Sequence, residues 1–258
     1  MALWIEIIVC LFAGLGAGLG TGFAGMSAAA VISPMLITFL HIPAYEAVGI
    51  ALASDVLASM VSAITYGRHK NIDIKNGLVM MVAVLSFTVL GSYLSKLTPQ
   101  GAVGGMSVIM TLLMGIRFIL KPVTETKPID PTKPLWTRYL KSFIAGCVVG
   151  LICGFIGAGG GMMMLFVLVS VLGYELKTAV GTSVFIMSFT ALTGSMSHFL
   201  MDGWPDWRLA LMCIIFTFVF AQIASKIANK VSPKILNRIT GVVLTILGIA
   251  LIVVNYAF

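Results

Sequence analysis

The sequence predicts an all-α integral membrane protein that contains two repeats of inverted topology. Apolar residues make up 59% of its 258 residues and charged residues only 10%, and the mean hydropathy is +1.08. Soluble domains have about 45–50% apolar and about 25% charged residues, so a soluble domain of this size could not hide so much apolar surface. The apolar residues form continuous runs, which excludes the alternating pattern of a transmembrane β-barrel.

Runs without charged residues predict the helices in order. Six of them fit one helix each, because a spanning helix needs about 20 residues: 47–67 (interrupted only by Asp55), 76–95, 97–116, 178–201, 209–225 and 239–258. The runs 7–40 and 142–174 are too long, and each contains a glycine cluster, at 22–25 and at 157–161. Since glycine disfavours a helix by about 1 kcal/mol relative to alanine, we divide both runs there. We expect about ten apolar segments, giving eight to ten transmembrane helices; the short segments 26–40 and 158–173 either cross the membrane or form re-entrant pairs with their neighbours.

The two halves of the chain repeat one another at a constant difference in residue number, which we call the repeat offset. Gly14, Gly18, Gly22, Phe23 and Gly25 recur as Gly146, Gly150, Gly154, Phe155 and Gly157, and Ala47-Val48-Gly49 recurs at the same offset as Ala179-Val180-Gly181. We therefore predict a first membrane repeat at 1–120, a proline-rich linker at 121–138 and a second membrane repeat at 139–258. The four-residue spacing of the first three glycines in each half is typical of close helix packing.

The distribution of positive charge predicts the orientation. With ten segments, fourteen of the sixteen lysines and arginines fall on one side of the membrane, and Lys96 and Arg208 fall on the other. The positive-inside rule then places the linker in the cytoplasm and both termini outside. Each half crosses an odd number of times, which makes the repeats inverted, as in many secondary transporters. The net charge of +7 thus sets topology, and no nucleic-acid partner is expected. Trp4, Trp136, Trp204 and Trp207 fall at the predicted membrane edges.

The two glycine-rich breaks are the first candidate binding site. A break inside the membrane exposes backbone N–H groups at the start of the next short helix, where the helix dipole favours an anion. The candidate residues are Gly25, Ser27, Gly157, Gly159, Gly160 and Gly161. Ser27 is expected either to cap the helix or to offer its hydroxyl to a ligand. The alternative role for these glycines is close packing alone.

The segments that begin at Ala47 and Ala179 provide further candidates: Gly49, Ser54, Thr182 and Ser183. Their hydroxyl groups could replace the hydration shell of a small oxyanion, although most hydroxyls on such helices bond to their own backbone. Asp55 is the one acidic residue in the middle of an apolar segment, which makes it a candidate coupling residue. It either carries a proton or hydrogen-bonds a helix start, and a purely structural role is equally compatible. His198 is expected at the membrane interface.

The spacing of the ionisable residues indicates neither an enzyme nor a metal site, and no cofactor is expected. Three stretches, at 14–36, 150–164 and 175–211, resemble the TauE/SafE sulfite-exporter family, also called the four-toluene-sulfonate-uptake permease family. The resemblance implies a bacterial or archaeal inner-membrane transporter of sulfur-containing anions such as sulfite, sulfonates or sulfoacetate. The first half departs from the pattern, with Ala28-Ala29 in place of Gly160-Gly161 and Ile50-Ala51 in place of Thr182-Ser183.

The hypothesis is therefore a secondary transporter that exports a small sulfur-containing organic or inorganic anion across the inner membrane. An inside-negative potential favours anion exit by about 2.3 kcal/mol per charge per 100 mV, and a proton gradient acting through Asp55 could add to it. The expected partners are the anion, protons and the lipid bilayer, and a homodimer is left open. The alternatives are a permease for a metal or other small cation and a non-transporting membrane protein.

Overall fold

The computed structural model describes residues 3–120, 135–157, 160–228 and 230–257, and these residues form ten α-helices. In order they are α1 Leu3–Ala24, α2 Ala29–Leu40, α3 Ala44–Arg68, α4 Ile74–Lys96, α5 Gln100–Leu120, α6 Leu135–Ile156, α7 Gly160–Phe166 with a π-helical extension at Val167–Val171, α8 Leu176–Asp202, α9 Trp207–Ala228 and α10 Pro233–Ala257. Within the described residues, seven helices are long and apolar enough to cross a membrane: α1, α3, α4, α5, α6, α8 and α9. Two shorter apolar helical stretches are Ala29–Leu40 and Arg238–Val253. The prediction of ten apolar segments is confirmed, whereas residues 121–134 of the predicted linker lie outside the described residues.

Both long apolar runs are broken at the predicted glycines. α1 ends at Ala24 and α6 ends at Ile156. The next residue in each case is a glycine with positive φ, +63° at Gly25 and +73° at Gly157. This left-handed region costs a residue with a Cβ about 1–2 kcal/mol, whereas glycine adopts it readily. The same conformation at two positions related by the repeat offset turns the chain back at both sites.

The loops define two ends of the helical bundle. At the basic end, Tyr174 in the loop before α8 donates a hydrogen bond of 2.8 Å to Asp73 in the loop before α4. At the opposite end, which we call the Trp204 end, the Asp206 N–H donates to Glu46 at 3.1 Å. Lys96 at the end of α4 also bonds to the Met201 carbonyl there. The basic end takes its name from the cations at its helix termini: Arg68, Lys70, Lys75, Arg117, Lys141, Lys177, Lys226, Lys230, Lys234 and Arg238.

The broken helices form two hairpins that enter from opposite ends. α1 starts at the Trp204 end, where Glu6 pairs with Arg208 at 2.9 Å, and α2 returns there to precede α3. α6 starts at the basic end, and α7 with its extension returns there to precede α8. α2 has 12 residues and is therefore about 18 Å long, too short for a hydrocarbon core of about 30 Å. The segment 26–40 is thus a short helix that returns alongside α1.

Each hairpin packs on a helix from the other half of the chain, and glycines make the contact. The α1 glycines lie against α9, and the equivalent α6 glycines lie against α4. A Cβ added to Gly14, Gly18 or Gly22 would lie 2.5–2.9 Å from an atom of α9. A Cβ added to Gly146, Gly150 or Gly154 would lie at most 2.9 Å from the α4 backbone. The predicted packing role of these six glycines is confirmed.

α3 and α8 pack together and are the most buried of the long helices. The remaining pair, α5 and α10, runs antiparallel, with Gly115 against Thr245 and Gly248 against Leu112. Large apolar side chains cover the outside of the bundle, including Val82, Ile109, Ile144, Ile215 and Ile246. Such an apolar exterior suits lipid rather than water. The four tryptophans are exposed at or beside helix ends, as predicted: Trp4, Trp136, Trp204 and Trp207.

Candidate functional site

The two glycine breaks meet inside the bundle. The Ser27 hydroxyl donates to the Gly157 carbonyl oxygen at 3.2 Å and accepts a bond from the Ala29 N–H at 3.3 Å. Gly161 packs so closely on the Gly25 carbonyl and the Ser27 N–H that a Cβ would collide with both. Ser27 therefore caps the first turn of α2 and also connects the two glycine breaks by a hydrogen bond. We call the contact formed by residues 25–28, 157, 160 and 161 the crossing.

The crossing lies between α3 and α8. A Cβ on Gly25 would touch Ser183 and Val180 of α8, and a Cβ on Gly157 would touch Val48 of α3 at 2.8 Å. Val48 and Val180 are related by the repeat offset, so the two sides of the crossing are built alike. The Ser183 hydroxyl lies 3.5 Å from the Gly25 carbonyl and 2.9 Å from the Val180 carbonyl in its own helix. Ser183 is thus the hydroxyl from α8 that reaches the crossing.

Asp55 of α3 lies beside the crossing and is fully buried. Its Oδ1 accepts a bond of 2.8 Å from Ser59, one turn later in α3. Its Oδ2 has no hydrogen-bond partner among the described residues, although Ser27 and the backbone of Ala28 are close neighbours of the carboxyl group. Cys153 of α6 is close enough to the carboxyl group to interact with it electrostatically. The carboxyl group therefore faces the start of α2.

In the second half, the equivalent place is apolar. Gly160 occupies the position equivalent to Ala28, and its added Cβ would meet Cys153 Sγ at 2.9 Å and Met187 Sδ at 3.4 Å. Met187 is the residue that the repeat offset pairs with Asp55. The crossing consequently has one acidic side and one thioether side, and its two halves are chemically unequal although their backbones follow the same course.

Three of the predicted residues are placed elsewhere. Gly49 packs on His198 and Phe199 near the Trp204 end. Thr182 turns away from Ser183 and accepts a 3.0 Å bond from the Asp73 N–H near the basic end. Ser54 donates to the Ile50 carbonyl of its own helix at 2.9 Å. The crossing brings together Gly25, Ser27, Gly157, Gly160, Gly161 and Ser183, with Asp55 beside it, and Gly159 lies outside the described residues.

His198 is buried, with 1% of its surface exposed, near the end of α8, and its place at the membrane interface stays a prediction. Its ring nitrogens lie 3.1 Å from the Tyr45 carbonyl and 3.0 Å from the Gly154 carbonyl. Tyr66, which the repeat offset pairs with His198, donates to the Gly22 carbonyl at 3.2 Å. Both side chains thus hold the last turn of a broken helix, just before the crossing. The repeat offset could have revealed this shared role, because it also pairs Gly22 with Gly154.

Comparison with known proteins identifies the family. A model of the family described as sulfite exporter TauE/SafE matches residues 10–251. The chain is 26% identical over 232 residues to the probable membrane transporter protein YunE of Bacillus subtilis (strain 168), covering 81% of this chain and 84% of that protein. It is 24% identical over 208 residues to the probable membrane transporter protein YdhB of the same organism, covering 80% and 84%.

A third relative is the probable membrane transporter protein ORF9 of a Sinorhizobium species. It is 24% identical over 207 residues, covering 80% of this chain and 77% of the relative. The relatives share a description as membrane transporters. The family predicted from the three sequence stretches is confirmed, as is a multi-pass membrane protein. The chain therefore belongs to the TauE/SafE sulfite exporter family, a family of membrane transporters and not of enzymes.

Proposed function

We propose that the protein is a secondary transporter that exports a small sulfur-containing anion, of the sulfite, sulfonate or sulfoacetate type, across the inner membrane. The family description supports the substrate class. The observation that carries the proposal is the crossing, because it puts the start of a short helix and two glycine-exposed stretches of backbone in the interior of an apolar bundle. Backbone N–H groups and the positive end of a helix dipole are suited to an oxyanion.

The binding site that we propose is the crossing itself. Gly25, Gly157, Gly160 and Gly161 place no side chain over the backbone, the N–H groups of Gly25 and Gly157 bond to their own helices, and Ser27 and Ser183 supply hydroxyl groups. The direct contact of Gly161 with residues 25–27 corresponds to a closed site. A substrate enters this site when the two hairpins separate, and hairpins that start from opposite ends of the bundle can open it to either side in turn. We retain Gly49, Ser54, Thr182 and Gly159 as weaker candidates from the sequence.

Asp55 is the coupling residue in this proposal. Its carboxyl group faces the start of α2, where the substrate anion would bind, and two negative charges at that place would repel each other. Substrate binding therefore favours the protonated carboxyl group, so the anion and the proton cross in the same direction, and an inward proton gradient opposes export through this residue rather than driving it. The membrane potential supplies the main driving force, because it favours anion exit by about 2.3 kcal/mol per charge per 100 mV.

We further propose that residues 1–120 and 139–258 are inverted repeats joined by a cytoplasmic linker. The helix pairs support this, since exchanging α1–α5 with α6–α10 converts the α1–α9 pair into the α6–α4 pair. The same exchange leaves the α3–α8 and α5–α10 pairs unchanged. The positive-inside rule makes the basic end cytoplasmic, so the Trp204 end and both termini face outward.

Flux from proteoliposomes, measured with sulfite, thiosulfate, sulfoacetate and taurine, tests the function. We expect one of the sulfur anions to move faster when an imposed potential favours its exit. Ser27→Ala should weaken binding of that anion by about ten- to hundredfold, because a hydrogen bond to a charged group is worth about 1.5–3 kcal/mol. Gly160→Val should remove binding, since its side chain would collide with Cys153 and displace the start of α7 from the crossing.

Two matched controls share the chemistry of these changes but lie away from the crossing. Ser86 is exposed and bonds to its own helix, and Gly105 has open space around its Cα. Ser86→Ala and Gly105→Val should both retain flux. Folded Ser27→Ala and Gly160→Val proteins with unchanged anion affinity would place the site elsewhere, and a reconstituted wild-type protein that moves none of the four compounds would refute the substrate class.

A further inference from the structure

His198 lies between two hydrogen-bond acceptors. Nδ1 faces the Tyr45 carbonyl at 3.1 Å and Nε2 faces the Gly154 carbonyl at 3.0 Å, in a site that is 1% exposed. A neutral imidazole carries one N–H, so it can donate to only one of these oxygens and must turn a lone pair toward the other. An imidazolium carries two N–H groups and bonds both carbonyls. The geometry therefore suits the protonated side chain.

The equivalent residue in the first half has no such choice. Tyr66 bonds one carbonyl, that of Gly22, with its single hydroxyl proton. A phenol keeps that proton throughout the physiological range, whereas histidine changes its charge between about pH 5 and 8. The two halves thus hold their broken helices with a permanent donor at the basic end and a titratable donor at the Trp204 end.

Burial disfavours the charged imidazolium, but the surroundings of His198 offer it compensating contacts and a route to water. A small cavity at the Trp204 end reaches the imidazole and is lined by Tyr45, Glu46, His198, Phe199, Asp202, Gly203 and Trp204. The Tyr45 ring stacks on the imidazole with centroids 4.0 Å apart, which favours a positive charge. On the α6 side, the Gly154 carbonyl faces the imidazole ring. The charged groups of the neighbouring elements are Glu46 on α3, Asp202 on α8, Asp206 in the following loop and Lys96 on α4, which bonds to the Met201 carbonyl.

We propose that His198 is a proton-binding site open to this cavity, and that its protonated form ties the last turn of α6 to the first turn of α3. Loss of the proton removes one of the two bonds that His198 donates, and the imidazole then turns a lone pair toward that carbonyl oxygen. The end of α6, which leads directly into the Gly157 break, is then held less firmly. The pH at the Trp204 end consequently controls the mobility of one hairpin, independently of Asp55 and of the identity of the substrate.

Nitrogen NMR of the reconstituted protein tests the protonation directly. In a His41→Gln/His69→Gln background, His198 is the last of the three histidines, and ¹⁵N-histidine labelling reports its two nitrogens alone. We expect two protonated nitrogens at about pH 5 and one at about pH 8. A side chain that keeps one protonation state over this range, whether neutral or charged, would overturn the proposal.

Thiol labelling tests the mechanical consequence. Cys153 precedes Gly154 and is fully buried, so its reaction with a methanethiosulfonate reagent reports opening of the last α6 turn. The matched control is Thr21→Cys in a Cys153→Ala chain, because Thr21 is the buried equivalent residue next to Gly22. Both are studied with the other native cysteines replaced by alanine.

The ratio of the Cys153 labelling rate to the Thr21→Cys labelling rate should rise at least about tenfold between about pH 5 and pH 8. This is the change expected when opening no longer has to break one hydrogen bond to a charged group. His198→Gln should remove this rise, because an amide does not titrate. A ratio that stays constant with pH in the chain with His198, or a rise that survives in His198→Gln, would contradict the proposed control.

Discussion

The Asp55 side chain has two oxygens in different surroundings. Oδ1 is bonded to Ser59, whereas Oδ2 faces the start of α2 and has no hydrogen-bond partner among the described residues. Insertion of a carboxyl group at the middle of a membrane helix costs about 2.5–3.5 kcal/mol, and an unsatisfied oxygen adds to that cost. Such a position fits a group that changes protonation as its neighbour binds and leaves.

We expect Asp55→Asn to abolish pH-driven transport while retaining potential-driven flux or substrate binding. The amide keeps the size of the side chain and the oxygen that accepts from Ser59, so the fold should persist, but it cannot carry the proton. The measurement compares flux under a pH gradient with flux under an imposed potential. Glu175→Gln is the control, because Glu175 is an exposed acid in the loop before α8. A wild-type response to pH in Asp55→Asn would make Asp55 a structural residue.

The sequence could indicate hydroxyl-rich helices but not the direction of each side chain. Thr182 and Ser183 are neighbours, and successive residues of a helix point about 100° apart. Ser183 reaches Gly25, whereas Thr182 bonds the Asp73 backbone. To choose between the two residues, one must know how α8 is rotated about its own axis. That rotation is set by packing on α3 and α4, which a single sequence does not reveal.

The broken helices show which features of a helix are determined by its own sequence and which depend on distant contacts. The breaks at Gly25 and Gly157 were predictable, because glycine is a poor helix former and the uncharged runs were too long for one helix. The end of α7 was not, since the π-helical turn at Val167–Val171 has no signal in its apolar sequence. The burial of His198 was missed for a similar reason. The first turn of α3 and the last turn of α6 cover the end of α8, and these contacts are distant in sequence.

Gly146→Ala tests the packing of α6 on α4. An added Cβ would lie 2.9 Å from both the Ala83 Cβ and the Met80 carbonyl, so the helices must separate slightly. We expect a loss of stability of about 1–3 kcal/mol, as for other overpacked interiors, with anion binding retained. Thermal unfolding in detergent measures the change.

Gly101→Ala is the matched control, because open space surrounds Gly101 in α5. It should leave stability unchanged or raise it by about 0.5–1 kcal/mol. Loss of anion binding in a stable Gly146→Ala protein would instead extend the binding site to the α4–α6 contact.

At the scale of the whole molecule, the sequence predicted the number of segments, their order and the ends at which the loops lie. The helix partners were not predictable. Nothing in the glycines of α1 shows that they pack on α9 rather than on a neighbour in the same half, since the contact depends on the arrangement of all ten helices. The crossing itself follows from that arrangement, because it needs both hairpins to reach the same depth from opposite ends.

The orientation of the whole bundle is tested by labelling single cysteines on intact cells, in a chain whose four native cysteines are replaced by alanine. Trp204→Cys should react with a membrane-impermeant maleimide, and Lys75→Cys should react only after permeabilisation. Both native side chains are exposed, and they lie at opposite ends of the bundle. The reverse pattern would place the Trp204 end in the cytoplasm and would contradict the predicted orientation.

The packing of α1 on α9 also determines when the protein can mature during its synthesis. Gly14 and its partner Phe216 are separated by about 200 residues, which a ribosome takes about 10–40 s to add at about 5–20 residues per second. During that interval the glycine face of α1 has no helix to meet and is covered by lipid or by the insertion machinery. The first hairpin therefore remains without its packing partner until the penultimate helix has been inserted.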